Sequence, residues 1–242
     1  MKRLIINADD FGFTRDVNAG IVHAHREGVL TSTTLMANGA AFDDAVRLAR
    51  ETPTLDIGAH LVLVQGNSLL DGRPLPETPR QLLGVLLRRG LDVYVELKAQ
   101  IEKILATGLR LSHLDSHKHT HLIPSVFGVV VGLADEFGIP WVRLPLGVPY
   151  YRRLARGKNV RMTDHFLGFR LTGSLTEVTF AQALQELKEG ATEFMCHPGY
   201  LGDELKQART RLKESRLREL EALTSPRIRE LISGKGIELS RF

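Results

Sequence analysis

The sequence has little with which to cross-link itself or to enter a bilayer. One cysteine, Cys196, in 242 residues excludes an internal disulfide and suits a reducing compartment. The longest apolar run, VFGVVVGLA at 126–134, falls well short of the ~20 residues that a membrane-spanning helix needs. The N-terminal MKRLIINADDFG carries basic residues but too short an apolar stretch for a secretory signal. Internal repeats, low-complexity tracts and Gly/Ser linkers are also missing. Residues 1–242 are therefore expected to form one domain, located in the cytoplasm.

What is present is an ordinary globular balance, 43% hydrophobic and 25% charged, enough apolar material for a sizeable core. The net charge of +4 is unevenly spread. Between Tyr150 and Gly173 six Lys or Arg face one acid, Asp164, interleaved with Leu154, Phe166, Leu167, Phe169 and Leu171. Such a segment is either a solvated basic loop or a contact with an anionic surface such as phospholipid headgroups, peripheral to the membrane. A single local patch does not make a nucleic-acid binder.

Apolar runs at 3–8, 31–38, 56–63, 109–117, 141–144 and 192–197 read as strands, and the GIELS stretch near the C-terminus as a last one. Helical spacing falls between them, over the stretch closed by Gly28, 42–51, roughly 80–107, 124–138, 179–190, from about Asp203, and near 226–233. This β, α, β, α order implies a parallel sheet with helical crossovers. About seven parallel strands in one unit predict an α/β fold, a single-domain distorted TIM-like (β/α) barrel, whose reactive groups belong at the C-terminal strand ends. The unusual polar residues fall there: Asp9 and Asp10 at the end of the first strand, His60 in the third, Asp115 and His117 at the end of the fourth, Arg143 in the fifth, His197 at the end of the sixth.

Four of the nine histidines lie within nine positions, in HLDSHKHTH at 113–121. A strand continued through this run would put His113, Asp115, His117, His119 and His121 on one face, more groups than one site needs. Three protein ligands plus water is the usual catalytic arrangement for zinc. The strand is expected to end near His117, leaving His119 and His121 on a loop where they meet substrate or solvent. Asp115 would hold the second ring nitrogen of a ligating histidine. The paired Asp9 and Asp10 can divide between metal ligand and general base, although aspartates also cap helices. His60, inside an apolar run, is either a core histidine or a ligand. Cys196 points into packing if its neighbour His197 faces the mouth. His165 is a further candidate to meet substrate, whereas His23 and His25 lie on a surface helix.

These groups describe a hydrolase. One divalent ion on an Asp and two His lowers the pKa of bound water and polarises a carbonyl; Asp9 takes the proton from the water and His197 protonates the departing amine. A phosphoesterase would want a second metal and a second ligand set, which the sequence does not offer. A non-catalytic metal-binding protein would close its coordination shell.

The blocks LIINADDFG, NAGIVHAHREGVLTSTTLMANG, IGAHLVL, SHLDSHKHTHL and FMCHPGY resemble the YdjC-like carbohydrate deacetylase family, which includes the chitooligosaccharide deacetylase, over essentially the whole chain. The resemblance implies metal-dependent removal of acetyl from an N-acetylated sugar, with Asp10, His60 and His117 as ligands, Asp9 as base and His197 as acid. Asp with two His suits zinc, while magnesium prefers oxygen donors. GIPWVRLPL, TDHFLGF with TGSL, and TEFMCHPGYL are similar to the hopanoid-biosynthesis (HpnK) branch. That branch implies an N-acetylglucosaminyl hopanoid lipid as substrate, in contrast to a soluble chitooligosaccharide.

Overall fold

A computed structural model describes residues 1–146 and 149–242. The chain opens with β1 (Lys2–Phe11), α1 (Arg15–Arg26), β2 (Ser32–Leu35), α2 (Phe42–Glu51) and β3 (Asp56–Leu61). Two helices, α3 (Pro79–Leu87) and α4 (Val93–Leu105), follow before β4 (His113–Ser116), α5 (Pro124–Glu136) and β5 (Trp141–Val142). Next come α6 (Pro149–Leu154), β6 (His165–Leu167), α7 (Glu177–Gln185) and β7 (Gly190–Cys196). The chain closes with α8 (Asp203–Gln207), α9 (Glu214–Thr224), α10 (Pro226–Gly234) and β8 (Glu238–Leu239).

The strands form one curled parallel sheet in the order β5-β4-β3-β2-β1-β7-β6, a distorted TIM-like half-barrel of seven strands, with β8 added against the first half of β1. Strands covered by helices read as near-continuous apolar runs; in β1 every residue from Leu4 to Phe11 is buried, and the polar exceptions are Asn7, Asp9 and Asp10. Leu4, Ile6, Ala8 and Phe11 join the apolar faces of α1, α2, α4 and α5 in one core. Between β5 and β6 the strand-type link among the described residues is the isolated bridge of Trp141 with Arg161.

Two expectations are corrected. The helical pattern over 80–107 is two helices, because the chain reverses through Arg89, whose φ is 53°, and restarts on the Asp92 cap, whose side chain accepts from Val95 N. The basic segment is not a plain loop. It contains α6 and the three-residue β6, too short to register as an apolar period, and it folds back on the barrel. Lys158 pairs with Asp135, Arg161 stacks over Trp141, and Arg152 donates to the Thr163 carbonyl at 2.7 Å. Among the described residues no helix is long and apolar enough to cross a membrane.

One close approach sets the far wall of the mouth. Helix α1 touches the loop after β7 so closely that a Cβ on Gly20 would lie 2.5 Å from Gly199 Cα. Only glycine permits this backbone contact, and it seats the His197-Pro198-Gly199 turn against the barrel.

Candidate active site

The mouth is built first from β1. Its pairing with β2 shifts register between Ala8 and Phe11, and Asp10 takes a left-handed φ of 72°, at a cost on the order of 1 kcal/mol. In a regular strand adjacent side chains point to opposite faces. Here the irregularity brings both carboxylates to the mouth, aimed at different partners.

Asp10 and two histidines converge on one point. Asp10 Oδ1 lies 3.0 Å from His117 Nδ1 and 3.3 Å from His60 Nε2, and the two ring nitrogens are 3.3 Å apart. His60 Nδ1 sits 2.7 Å from Asp115 Oδ1, so a proton held there leaves Nε2 as a bare lone pair. The other oxygen of Asp10 accepts from Arg216 Nη2 at 2.5 Å. Burial disfavours charge on Asp10, yet Arg216 and His117 keep it well below the usual carboxylate range. Against the same desolvation, Asp115 and Asp10 push His60 up to about 10. Without an ion the carboxylates favour a proton on His60; with that proton displaced, Asp10, His60 and His117 are a carboxylate with two imidazoles around one point, a donor set that could hold a divalent metal. Asp9, His60 and Asp115 form a second close group, but Arg143 already neutralises both of its carboxylates.

Asp9 has a different neighbour. Arg143, fully buried one residue beyond β5, forks onto it with Nη1 at 2.8 Å from Oδ2 and Nη2 at 2.6 Å from Oδ1. The same guanidinium reaches Asp115 Oδ2 at 2.8 Å and Glu193 Oε1 at 2.7 Å. One cation thus ties β1, β4 and β7 together inside the barrel. Burial alone would raise the Asp9 pKa, but Arg143 wins and keeps the group anionic. Asn7 Nδ2 donates a further bond to Asp9 Oδ1 at 3.3 Å.

His197, directly after β7, places Nε2 at 3.9 Å from Asp9 Oδ2. Burial pushes its pKa down to about 4. Cys196 is buried, with its thiol on the Asn7 carbonyl at 3.4 Å, so it packs as expected and takes no part in the mouth.

The histidine run ends its strand at Ser116, as the spacing predicts, and turns through a 3₁₀ segment, His117–Leu122, with Lys118 and His119 at φ 51° and 52°. That turn breaks the alternation and separates the three rings. His117 joins Asp10 and His60. His119 packs edge-on against Phe169 at 4.9 Å, and burial lowers its pKa to about 3, so it is a neutral aromatic wall of the cleft. His121 is buried behind it with Nδ1 2.6 Å from Ser116 Oγ, and it supports the turn without facing the mouth. His113 lies deeper still, its Nε2 3.1 Å from Asn7 Oδ1. His165 stands apart: it starts β6 at the N-terminal end of the sheet, with Nε2 3.0 Å from the Glu189 carbonyl, and the mouth is at the other end.

Above these groups opens a cleft of about 1000 Å³, walled by Phe13, Gln65 and Phe169 and rimmed by Lys118, Arg170 and Arg211. Sequence reading missed Arg216, Glu193 and Glu219. Glu193 has a visible signal, an acid in the middle of an apolar strand. Arg216 and Glu219 share an apolar helix stripe with Leu220 and Leu223, a weak signal inside a heavily charged stretch.

The family model for YdjC-like protein matches residues 3–234. A carbohydrate deacetylase of Brevibacillus brevis is 37% identical over 260 aligned positions, covering 99% of this chain and 98% of the relative. A second, from Geobacillus stearothermophilus, is 37% identical over 243 positions, covering 98% and 96%. The crystal structure of a protein from Enterococcus faecalis V583 superimposes with a TM-score of 0.86 at 32% identity, covering 99% of this chain and 97% of that one.

Proposed function

Since the chain belongs to the YdjC-like family, we propose that it is a metal-dependent hydrolase removing acetyl from an N-acetylglucosamine-type sugar carried on a glycosylated hopanoid. Relatives named as carbohydrate deacetylases, similar from end to end, support sugar deacetylation. The observation that carries the metal reading is the convergence of Asp10 Oδ1, His60 Nε2 and His117 Nδ1 within 3.3 Å of one another. Asp9 and His197 stand beside this triad without belonging to it, which favours catalysis over simple metal storage.

Zinc suits the donors best, with magnesium the alternative. When bound, such an ion lowers the pKa of water towards ~7 and polarises the acetyl carbonyl. The chain supplies the rest. Asp115 fixes the His60 tautomer, and Arg216 orients Asp10. Asp9, held anionic by Arg143, accepts the proton of the attacking water. His197 delivers a proton to the amine nitrogen as the C–N bond breaks, so that water and amide become acetate and amine. His119 and Phe169 give the sugar an apolar wall.

The lipid part of the reading rests on the basic segment and on the exposed Tyr150, Leu154 and Phe169 near it. These suit peripheral contact with an anionic membrane, at the cytoplasmic face. Arg152 is committed to the Thr163 carbonyl, which leaves Arg153 and Arg156 as the cations to test. Acetate release is expected to favour an N-acetylglucosaminyl hopanoid in anionic vesicles over diacetylchitobiose. Arg153→Gln with Arg156→Gln is expected to slow the vesicle reaction several-fold and spare the soluble sugar. Preference for chitobiose, with vesicle binding unchanged in the double variant, would return the protein to soluble chitooligosaccharides.

A further inference from the structure

Among the buried side-chain polar atoms of the described residues that lack a hydrogen-bond partner are His197 Nδ1 and an oxygen of Glu219, two residues that face each other. Glu219 is 1% exposed on α9. Its Oε2 accepts the backbone N–H of His197 at 2.5 Å and lies 3.9 Å from the same residue's Nδ1. The carboxylate is therefore anchored to the main chain of the residue whose ring it faces. His197 Nδ1 has no hydrogen-bond partner, and the Glu219 carboxylate is the acceptor that stands on its side.

A buried acid is expensive. A well-packed apolar residue in its place is often neutral or stabilising, and the Leu220 and Leu223 neighbours would accommodate one. Burial also pushes the Glu219 carboxyl up to about 7, against the opposing pull of the His197 N–H, Arg216 and the Gly173 N–H. A buried carboxylate kept at this cost, 3.9 Å from an imidazole nitrogen that has no other partner, is placed to act on that ring.

We propose that Glu219 is a positioning residue for His197. Its carboxylate takes the Nδ1–H of the ring in the reacting complex, so that Nε2 faces the cleft and presents its proton to the departing amine. The role rests on the deacetylase reading above. The step balances with the ring entering it as imidazolium: Nε2–H goes to the amine nitrogen as the C–N bond breaks, Nδ1–H stays on the now neutral ring hydrogen-bonded to Glu219, and the proton Asp9 took from the water is released afterwards to restore the starting state. Asp9 and Asp10 from β1, His60 from β3 and Arg216 from α9 are charged groups around His197, and Glu219, also from α9, lies 3.9 Å from its Nδ1. Of these, Glu219 is the one on the Nδ1 side, where a carboxylate favours the protonated ring and counters its desolvation.

The test separates leaving groups. Loss of a positioned acid costs about 10²-fold or more where the leaving group must be protonated, as for the amine of diacetylchitobiose. It costs little for 4-nitrophenyl acetate, whose phenolate leaves unaided. Glu219→Gln is expected to lower kcat on diacetylchitobiose by about 10²-fold with KM nearly constant, and ester hydrolysis by less than about fivefold. Glu219→Asp, which keeps the charge on a shorter arm, should recover part of the amide rate and covers the case of a poorly folding glutamine variant. Equal losses on both substrates in either variant, or no loss on the amide, would overturn the positioning role alone. Wild-type protein that releases acetate from no N-acetylated sugar would overturn the deacetylase reading and this role with it.

Discussion

Replacing Asp9 with asparagine is expected to lower acetate release by about 10²- to 10⁴-fold, the usual worth of a positioned general base, while bound metal stays at the wild-type level. Both Asp9 oxygens are taken by Arg143, at 2.6 and 2.8 Å, and neither belongs to the Asp10–His60–His117 triad. Asparagine keeps the shape and removes the negative charge. Its amide NH₂ would also meet a guanidinium N–H, so one arm of the fork is lost. The check is metal content by elemental analysis together with turnover. Loss of metal in Asp9→Asn would contradict the division of labour between the two aspartates, and so would retained turnover.

Arg143→Met is expected to produce the largest loss of stability. Removing one partner from a buried ion network leaves uncompensated charge and costs roughly 3–5 kcal/mol. Here three carboxylates, Asp9, Asp115 and Glu193, lose their shared cation at once. At about 2–4 °C per kcal/mol for a chain of this size, the melting temperature should drop by about 10 °C. The pH dependence has a definite sign. Burial raises the Glu193 carboxyl to about 7 in the folded wild type, from an ordinary value of 4.5. The folded state therefore binds more protons than the unfolded state between these values. The stability this contributes is fully present below about 4.5 and is lost as pH rises through about 7. Without the Arg143 cation the carboxyl pKa rises further, so the variant's deficit should be greater at pH 8 than at pH 5.5. Melting curves at the two pH values check this, and a variant as stable as wild type at pH 8 would contradict the network.

How much of this was legible in the sequence depends on how local the signal is. The long buried strands β1, β3 and β7 show as apolar runs, and the polar interruptions in or just after them, Asp9, Asp10, His60 and His197, stand out against that background. The separation of His117 from His119 and His121 was foreseen only as a strand end. The left-handed pair Lys118 and His119, which carries it out, has no compositional mark. Arg216 and Glu219 were hidden for the opposite reason. They lie in a stretch rich in Arg, Lys and Glu, where a solvated helix and one that turns an arginine and a glutamate inward look alike. Whether such a helix buries its charges depends on Asp10 and His197, distant in sequence. His165 misled because it sits in a basic segment with unusual neighbours, and only the parallel register with Thr192 puts it at the wrong end of the sheet.

A single metal held by Asp10, His60 and His117 and required for hydrolysis is what we propose. Its most direct test is to strip the protein with chelator, add zinc back in measured steps, and follow acetate release from an N-acetylglucosaminyl substrate against metal bound per chain. No turnover is expected at zero metal, with a linear rise that levels off at one equivalent. Full activity in the metal-free protein, or a rise that continues to two equivalents, would contradict it.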